Sequence, residues 1–150
     1  MSIIAICGLT FFGCLVSSVL PIVNAELLLL SMAAIAAPDL AVPLIVLATL
    51  GQMIGKTLLF LAGRGAVHLP GRWGEKVEDV RARLGSGHRI GGSVLFVSAA
   101  VGLPPFFVVS LASGIIGMGL RQFLGLGLSG RLLRFGAIVL FPQIVKGAFA

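Results

Sequence analysis

The sequence predicts an all-α integral membrane protein: a helical bundle with two facing re-entrant (broken) hairpins and a cytoplasmic amphipathic helix. Three observations carry that expectation. The 150 residues are 58% apolar and only 11% charged, with a mean hydropathy of +1.14. A soluble domain carries roughly 25% charged residues because its surface is wet. A bilayer removes that need. Prolines interrupt two apolar stretches, at Pro21 and at Pro104-Pro105. A single charged segment, 64–89, separates the two interrupted stretches.

At this length the chain reads as one domain over residues 1–150. Its 21 glycines fit a membrane bundle, since small residues let helices approach closely in lipid. The net charge of +6 is not a nucleic-acid footprint, because the basic residues flank or interrupt apolar runs, where they act as topology signals. No nucleic-acid partner is expected. Cys7 and Cys14 share a helix face, but two turns separate their Cα atoms by about 10 Å, too far for a disulfide. The sequence shows no CxxC, no metal-ligand cluster, no nucleotide loop and no convergent Ser–His–Asp set. No metal, no cofactor and no catalytic residue is therefore expected, and the chain does not read as an enzyme.

The first apolar block runs from Ile3 to about Ala37, interrupted by Pro21, Asn24 and Glu26. Val23-Asn24-Ala25 has the small-residue spacing of a signal-peptidase site. However, no Lys or Arg precedes the run, the run is long, and more apolar sequence follows Glu26, so the segment is read as retained. The second block, Ala41 to Gly63, covers about 33 Å as a helix, enough to cross a hydrocarbon core of about 30 Å.

Segment 64–89 carries six basic and three acidic residues, which places it in the cytoplasm by the positive-inside rule. Within it, Trp73, Val77, Val80 and Leu84 form one helical stripe. Acidic residues stand early, Arg81 and Arg83 late, and Gly85 can end the helix. An amphipathic helix on the membrane surface and a solvated helix folded over the bundle both fit. His68 and His88 sit in this wet region, and nothing marks them as ligands. The third block, Ile90 to Met118, is broken at Gly102-Leu103-Pro104-Pro105. The fourth begins near Phe123 and contains Arg131 and Arg134.

Proline removes a backbone donor and breaks a helix. Irregular chain at membrane depth must be buried in protein or line a wet cavity. Pro21 and Pro104-Pro105 therefore imply either two kinked spans or two re-entrant hairpins. A short internal likeness favours the hairpins. Ser17-Ser18-Val19-Leu20-Pro21 resembles Ala100-Val101-Gly102-Leu103-Pro104, and a serine among small residues follows each break. Paired interrupted segments in corresponding halves point to a transporter-type midplane site.

Glu26 lies among leucines just past the first break. A carboxylate there costs about 2.5–3.5 kcal/mol on insertion scales and is a functional-site candidate by default. Gln52 and Lys56 share a face of the second block. Lys56 either pairs with Glu26 or snorkels toward the cytoplasmic side near Arg64. Arg121 reads as an interfacial anchor. Arg131 and Arg134 share a face, and either end a short span at the interface or turn inward toward an anionic head group.

Together these residues resemble the DedA superfamily, also called the VTT or SNARE-associated domain, and in particular its short YqaA-like members. The matching features are Glu26 after Pro21, the glycine-rich span Gly51, Gly55, Gly63-Arg64, then Gly102-Leu103-Pro104-Pro105 with Ser113-Gly114 behind it, and Met118 with Arg121-Gln122-Phe123. The resemblance covers nearly the whole chain and rests on order and spacing. It implies a multi-pass protein of the bacterial inner membrane that moves membrane lipids such as undecaprenyl phosphate, with Glu26 as the acidic hairpin residue of a proton-coupled step. Taken with the reading of the residues themselves, Glu26, Gln52, Lys56, Pro104 and Pro105 are the candidates for substrate or ion binding, Pro21, Gly51, Gly55, Gly102 and Gly114 for hairpin or packing roles, and Arg64, Arg121, Arg131 and Arg134 for interfacial positions. Two positions that carry arginine in lipid-phosphate members are Ala100 and Phe106 here, so a cation for phosphate would come from elsewhere, with Lys56 a candidate.

The function expected is transport, of a lipid in the manner of a flippase or scramblase, or of a small solute. The alternative is a non-transporting membrane factor that supports envelope integrity or assembly through helix contacts. A chain this short is also compatible with a homodimer.

Overall fold

A computed structural model describes residues 2–20, 24–65, 70–84 and 91–149. The described chain is all-helical, with no strand among the described residues. Pro21, His68, Gly85, His88 and Arg89 lie outside them, as do the side chains of Trp73, Val77, Val80, Arg81, Arg83 and Leu84.

Helix α1 (Ile3–Val19) starts at Ser2, whose hydroxyl accepts the Ala5 N–H at 3.3 Å. It ends because Leu20 turns to extended backbone, the conformation forced on a residue that precedes proline. Helix α2 (Ala25–Ile35) begins on an Asn24 cap and stops at the extended Ala36. A single 3₁₀ turn, Pro38–Leu40, leads into α3 (Ala41–Gly63). Pro43 falls in the first turn of α3, where a missing N–H breaks no helical bond. The bounds of α3 are those of the second apolar block. Helix α4 (Arg72–Leu84) lies in the charged segment. Helices α5 (Gly92–Val101) and α6 (Phe106–Ile115) flank the second proline break, and α7 (Leu120–Phe149) closes the chain.

Helix α3 together with the preceding turn, and α7 as far as Pro142, are long and apolar enough to cross a membrane. The arms on either side of the breaks are shorter, at 17 and 11 residues for α1 and α2 and 10 each for α5 and α6. Within each pair the two arms pack on each other.

The fold divides into two compact units, Met1–Ile54 with Arg131–Ala150, and Gly55–Gly130, so the division falls inside α3 and α7. In the first unit Leu29, Leu44, Ala48 and Phe135 are fully buried and centre the core. Helices α1 and α3 meet backbone to backbone at Gly51, where a Cβ would stand 2.5 Å from the Phe11 carbonyl oxygen and 3.2 Å from the Leu15 nitrogen. Only glycine allows that approach.

The second unit is built on aromatic stacking and on a reciprocal glycine crossing. The rings of Phe60 and Phe123 stack with centroids 4.5 Å apart, and Phe106 stacks on Phe123 at 6.4 Å. A Cβ on Gly63 would collide with the Leu111 carbonyl, and one on Gly114 with the Phe60 carbonyl, so α3 and α6 cross in direct backbone contact. The α5–α6 connection turns at Gly102, whose φ of +88° is a conformation that favours glycine. Its N–H donates to the Ser98 carbonyl at 2.9 Å, and the Ser98 hydroxyl donates to the Pro104 carbonyl at 2.5 Å. The Leu103–Pro104 peptide is cis, and Pro105 precedes the first turn of α6. Helix α4 packs against α6, and its described side chains are exposed.

The glycine crossing gives a direct test. Gly114→Ala should destabilise the protein by about 1–3 kcal/mol, the usual cost of overpacking. At Gly136 a Cβ meets nothing within 4 Å. Gly136→Ala should therefore be neutral, or stabilising by up to about 1 kcal/mol through helix propensity. Helix loss during detergent denaturation, followed by circular dichroism, compares the two.

Candidate functional site

The site forms in the first unit, where α2 begins. Asn24 accepts the Glu26 N–H on Oδ1 at 2.9 Å, and its carbonyl takes the Leu28 N–H at 3.1 Å. This cap sets where α2 starts and holds Glu26 in the first turn, where a carboxylate complements the positive end of the helix dipole. The Glu26 carboxylate is bonded by Arg134 of α7: Nε donates to Oε1 at 2.7 Å, and Nη2 forms a salt bridge with the same oxygen. Of the two readings of Lys56, a pair with Glu26 or snorkelling toward Arg64, the first does not hold for Glu26, whose carboxylate is bonded by Arg134. The pair is half-buried, with Arg134 21% and Glu26 33% exposed.

Arg131 was expected at an interface, yet only 8% of it is exposed. Its guanidinium lies 5.8 Å from the ring centroid of Phe135, a fully buried residue. The charges of Arg134 and Glu26 both reach it. Arg131, Phe135 and Val139 repeat at i, i+4 and i+8 and turn one stripe of α7 into the core. The inward alternative for the two arginines is the one found, and the carboxylate that Arg134 meets there is Glu26.

A buried polar strip runs beside this cluster. Thr10, Cys14, Ser17 and Ser18 of α1 are all buried, as are Thr49 and Gln52 of α3. Most of these hydroxyls donate back to their own helix: Thr10 to the Ile6 carbonyl at 2.8 Å, Ser17 to Cys14 at 2.9 Å and Thr49 to Ile45 at 2.8 Å. Gln52 is different. Its Nε2 donates across to Ser17 Oγ at 2.7 Å and to the Cys14 carbonyl at 3.3 Å, tying α3 to the last turns of α1. Sequence reasoning did not find this strip. The signal was polar residues at helical spacing within an apolar run, Thr10, Cys14 and Ser17.

The remaining candidates belong to the second unit. Lys56 is buried, 6% exposed, with Nζ 5.7 Å from the ring centroid of Phe107. Gly55 beside it is also buried. Pro104 and Pro105 are exposed at the α5–α6 break. Arg64 is exposed and lies over the Phe60 ring at 5.5 Å, and Arg121 is exposed in the first turn of α7. Glu26 and Gln52 thus share a unit with Arg131 and Arg134, whereas Lys56, Pro104 and Pro105 do not. Pro21 lies outside the described residues. Among the described residues no group of His, Cys, Asp and Glu could hold a metal.

Arg131 and Arg134 bring two guanidiniums into the unit that holds the Glu26 carboxylate, and Arg134 bonds it directly. Compared with known proteins, the chain matches no family model, no curated protein and no solved structure.

The pair can be measured. In a double-mutant cycle of Glu26→Gln and Arg134→Gln, the coupling energy should be about 1.5–3 kcal/mol, the range for hydrogen bonds to charged groups. Detergent unfolding of the four proteins reads it. Strict additivity would mean that the two side chains do not support each other.

Proposed function

We propose that the chain is an integral membrane transport protein of the DedA type, a lipid flippase or scramblase or a small-solute transporter, with the Glu26–Arg134 pair and Arg131 at its working site. The observation that carries this reading is the charge cluster itself. Ionisable groups inside apolar helical segments are costly and mark substrate or ion paths. Here three of them gather where two helices meet. Two features support the membrane setting: α3 and α7 have the length and apolarity of spans, and so many large apolar side chains are exposed, Phe12, Val42, Leu133, Phe141 and Ile144 among them. On this reading α1–α2 and α5–α6 are the re-entrant hairpins. An arm of 10 or 11 residues is about 15 Å long, half of a hydrocarbon core of about 30 Å. The charged segment with α4 lies on the cytoplasmic side of a bacterial inner membrane.

The geometry suggests a sequence of exchanges. An anionic group on the solute competes with the Glu26 carboxylate for Arg134. Release of the solute lets the Glu26–Arg134 pair re-form. Arg131, against the Phe135 ring, is the second guanidinium of the same unit.

The test is reconstitution into liposomes with a lipid-translocation assay that uses a fluorescent anionic lipid. The wild-type chain should move the lipid, and Glu26→Gln should slow it at least about tenfold, a barrier change of about 1.4 kcal/mol. Helicity should be unchanged in both. Full translocation by Glu26→Gln would remove the carboxylate from the mechanism. No translocation by the wild type would leave the pair as a structural tie in a non-transporting membrane factor.

A further inference from the structure

The two units repeat one plan. Each holds a broken helix pair, α1–α2 or α5–α6, and each is completed by parts of the long helices α3 and α7. The likeness reaches single atoms. Gly51 is the eleventh residue of α3, and Gly130 the eleventh of α7. A Cβ on Gly51 would meet the Phe11 carbonyl oxygen at 2.5 Å, the Leu15 nitrogen at 3.2 Å and the Cys14 Cβ at 3.4 Å. A Cβ on Gly130 would meet the Phe96 carbonyl oxygen at 3.0 Å, the Ala100 nitrogen at 3.2 Å and the Ala99 Cβ at 2.6 Å. In both units a long helix crosses the first arm over a phenylalanine carbonyl and the nitrogen four residues on. The burial patterns agree in the same register. When Gly130 is laid on Gly51, every buried residue of α7 from Phe123 to Val139 falls on a buried residue of α3. Every exposed residue of α3 from Val42 to Leu58 falls on an exposed residue of α7.

The second arms correspond as well. Glu26 and Phe107 are each the second residue of their helix, and both are half-buried. Each follows a buried residue, Ala25 or Phe106, and precedes an exposed one, Leu27 or Val108. Each also meets a cation from a long helix of its own unit. Arg134, four residues past Gly130, bonds the Glu26 carboxylate. Lys56, five residues past Gly51, brings Nζ to 5.7 Å from the centroid of the Phe107 ring, within reach of a cation–π contact. In the alignment the two cations stand one residue apart.

We infer that the Lys56–Phe107 contact is a second working station, built as the Glu26–Arg134 pair is built, with a ring standing where the acid stands and Phe107 as its positioning residue. This rests on the proposed transport function and adds a second site to it. Paired broken helices in the two halves of a transporter serve one transport path, so a station in each half fits that function. The two stations differ in chemistry. A carboxylate pairs with its guanidinium and accepts its hydrogen bonds, whereas a ring attracts an ammonium through its negative face alone. A ring there sets where the Lys56 ammonium stands without adding a second acid.

The full chain in liposomes tests this, with the same fluorescent anionic lipid as probe. Phe107→Leu removes the ring but keeps an apolar side chain. It should slow translocation about threefold or more, the scale of a lost cation–π contact, with helicity unchanged. Phe107→Tyr keeps a ring and should hold the wild-type rate. Lys56→Met should slow translocation at least as much as Phe107→Leu, and combining the two should slow it no further than Lys56→Met alone. Phe107→Glu copies the first unit, and the start of α6 suits a carboxylate. Solid-state NMR in bilayers should place the introduced carboxyl carbon within about 4 Å of Lys56 Nζ.

Wild-type rates in both Phe107→Leu and Lys56→Met would overturn the second station and leave the first standing. Equal slowing by Phe107→Leu and Phe107→Tyr would make Phe107 a packing residue and overturn its positioning role. A separation beyond roughly 6 Å in Phe107→Glu would overturn the correspondence, and that measurement holds even where Lys56→Met does not fold. A wild type that moves no lipid would overturn both this inference and the transport reading beneath it.

Discussion

A carboxylate set among leucines must be neutralised, and the first unit is arranged around how that is done. Glu26 is placed by the Asn24 cap at the start of α2, and α7 supplies the counter-charge through Arg134. The two requirements fix each other. If α2 began a residue earlier or later, the carboxylate would rotate by about 100° around the helix, since there are about 3.6 residues per turn. If α7 slipped by one residue, Arg134 would turn by about 100° away from the carboxylate. The break between α1 and α2 is thus more than an interruption. It creates the helix start that holds the acid.

Beside the buried leucines and phenylalanines, the packing uses close backbone approach and interhelical hydrogen bonds. Gly51 brings α3 onto α1 in the first unit, and Gln52, the next residue, donates across to Ser17 and to the Cys14 carbonyl. In the second unit Gly63 and Gly114 bring α3 and α6 into backbone contact, while the Phe60, Phe106 and Phe123 rings stack beside the crossing. The same helix α3 therefore serves two packing schemes: a polar tie in one unit and an aromatic stack in the other.

Much of this frame was legible in local sequence. The ends of α3 follow from where the apolar run starts and stops, and the ends of α1, α5 and α6 from the prolines beside them. The charged segment announced a helix with acids early and bases late, and α4 lies there. What could not be read was long-range pairing. Glu26 and Arg134 are 108 positions apart, and no local pattern links them. Lys56 was one candidate because Glu26 needed a partner and few others were available. For Arg131 and Arg134 the sequence left an interfacial and an inward position open, since which way a helix stripe faces depends on neighbours the sequence does not display. Gln52 and Lys56, one turn apart on one face, were grouped by spacing alone, yet the boundary between the two units falls between them. The apolar stripe of α4 and the Pro21 peptide lie outside the described residues.

The account turns on direct contact between one carboxylate and one guanidinium in the first unit. A solid-state NMR distance between the Glu26 side-chain carboxyl carbon and the Arg134 guanidinium nitrogens, measured in lipid bilayers with selectively labelled protein, addresses it most directly. A separation within about 4 Å, the reach of an ion pair, is the expected result. A distance beyond roughly 6 Å, where charges no longer hold each other closely, would contradict it.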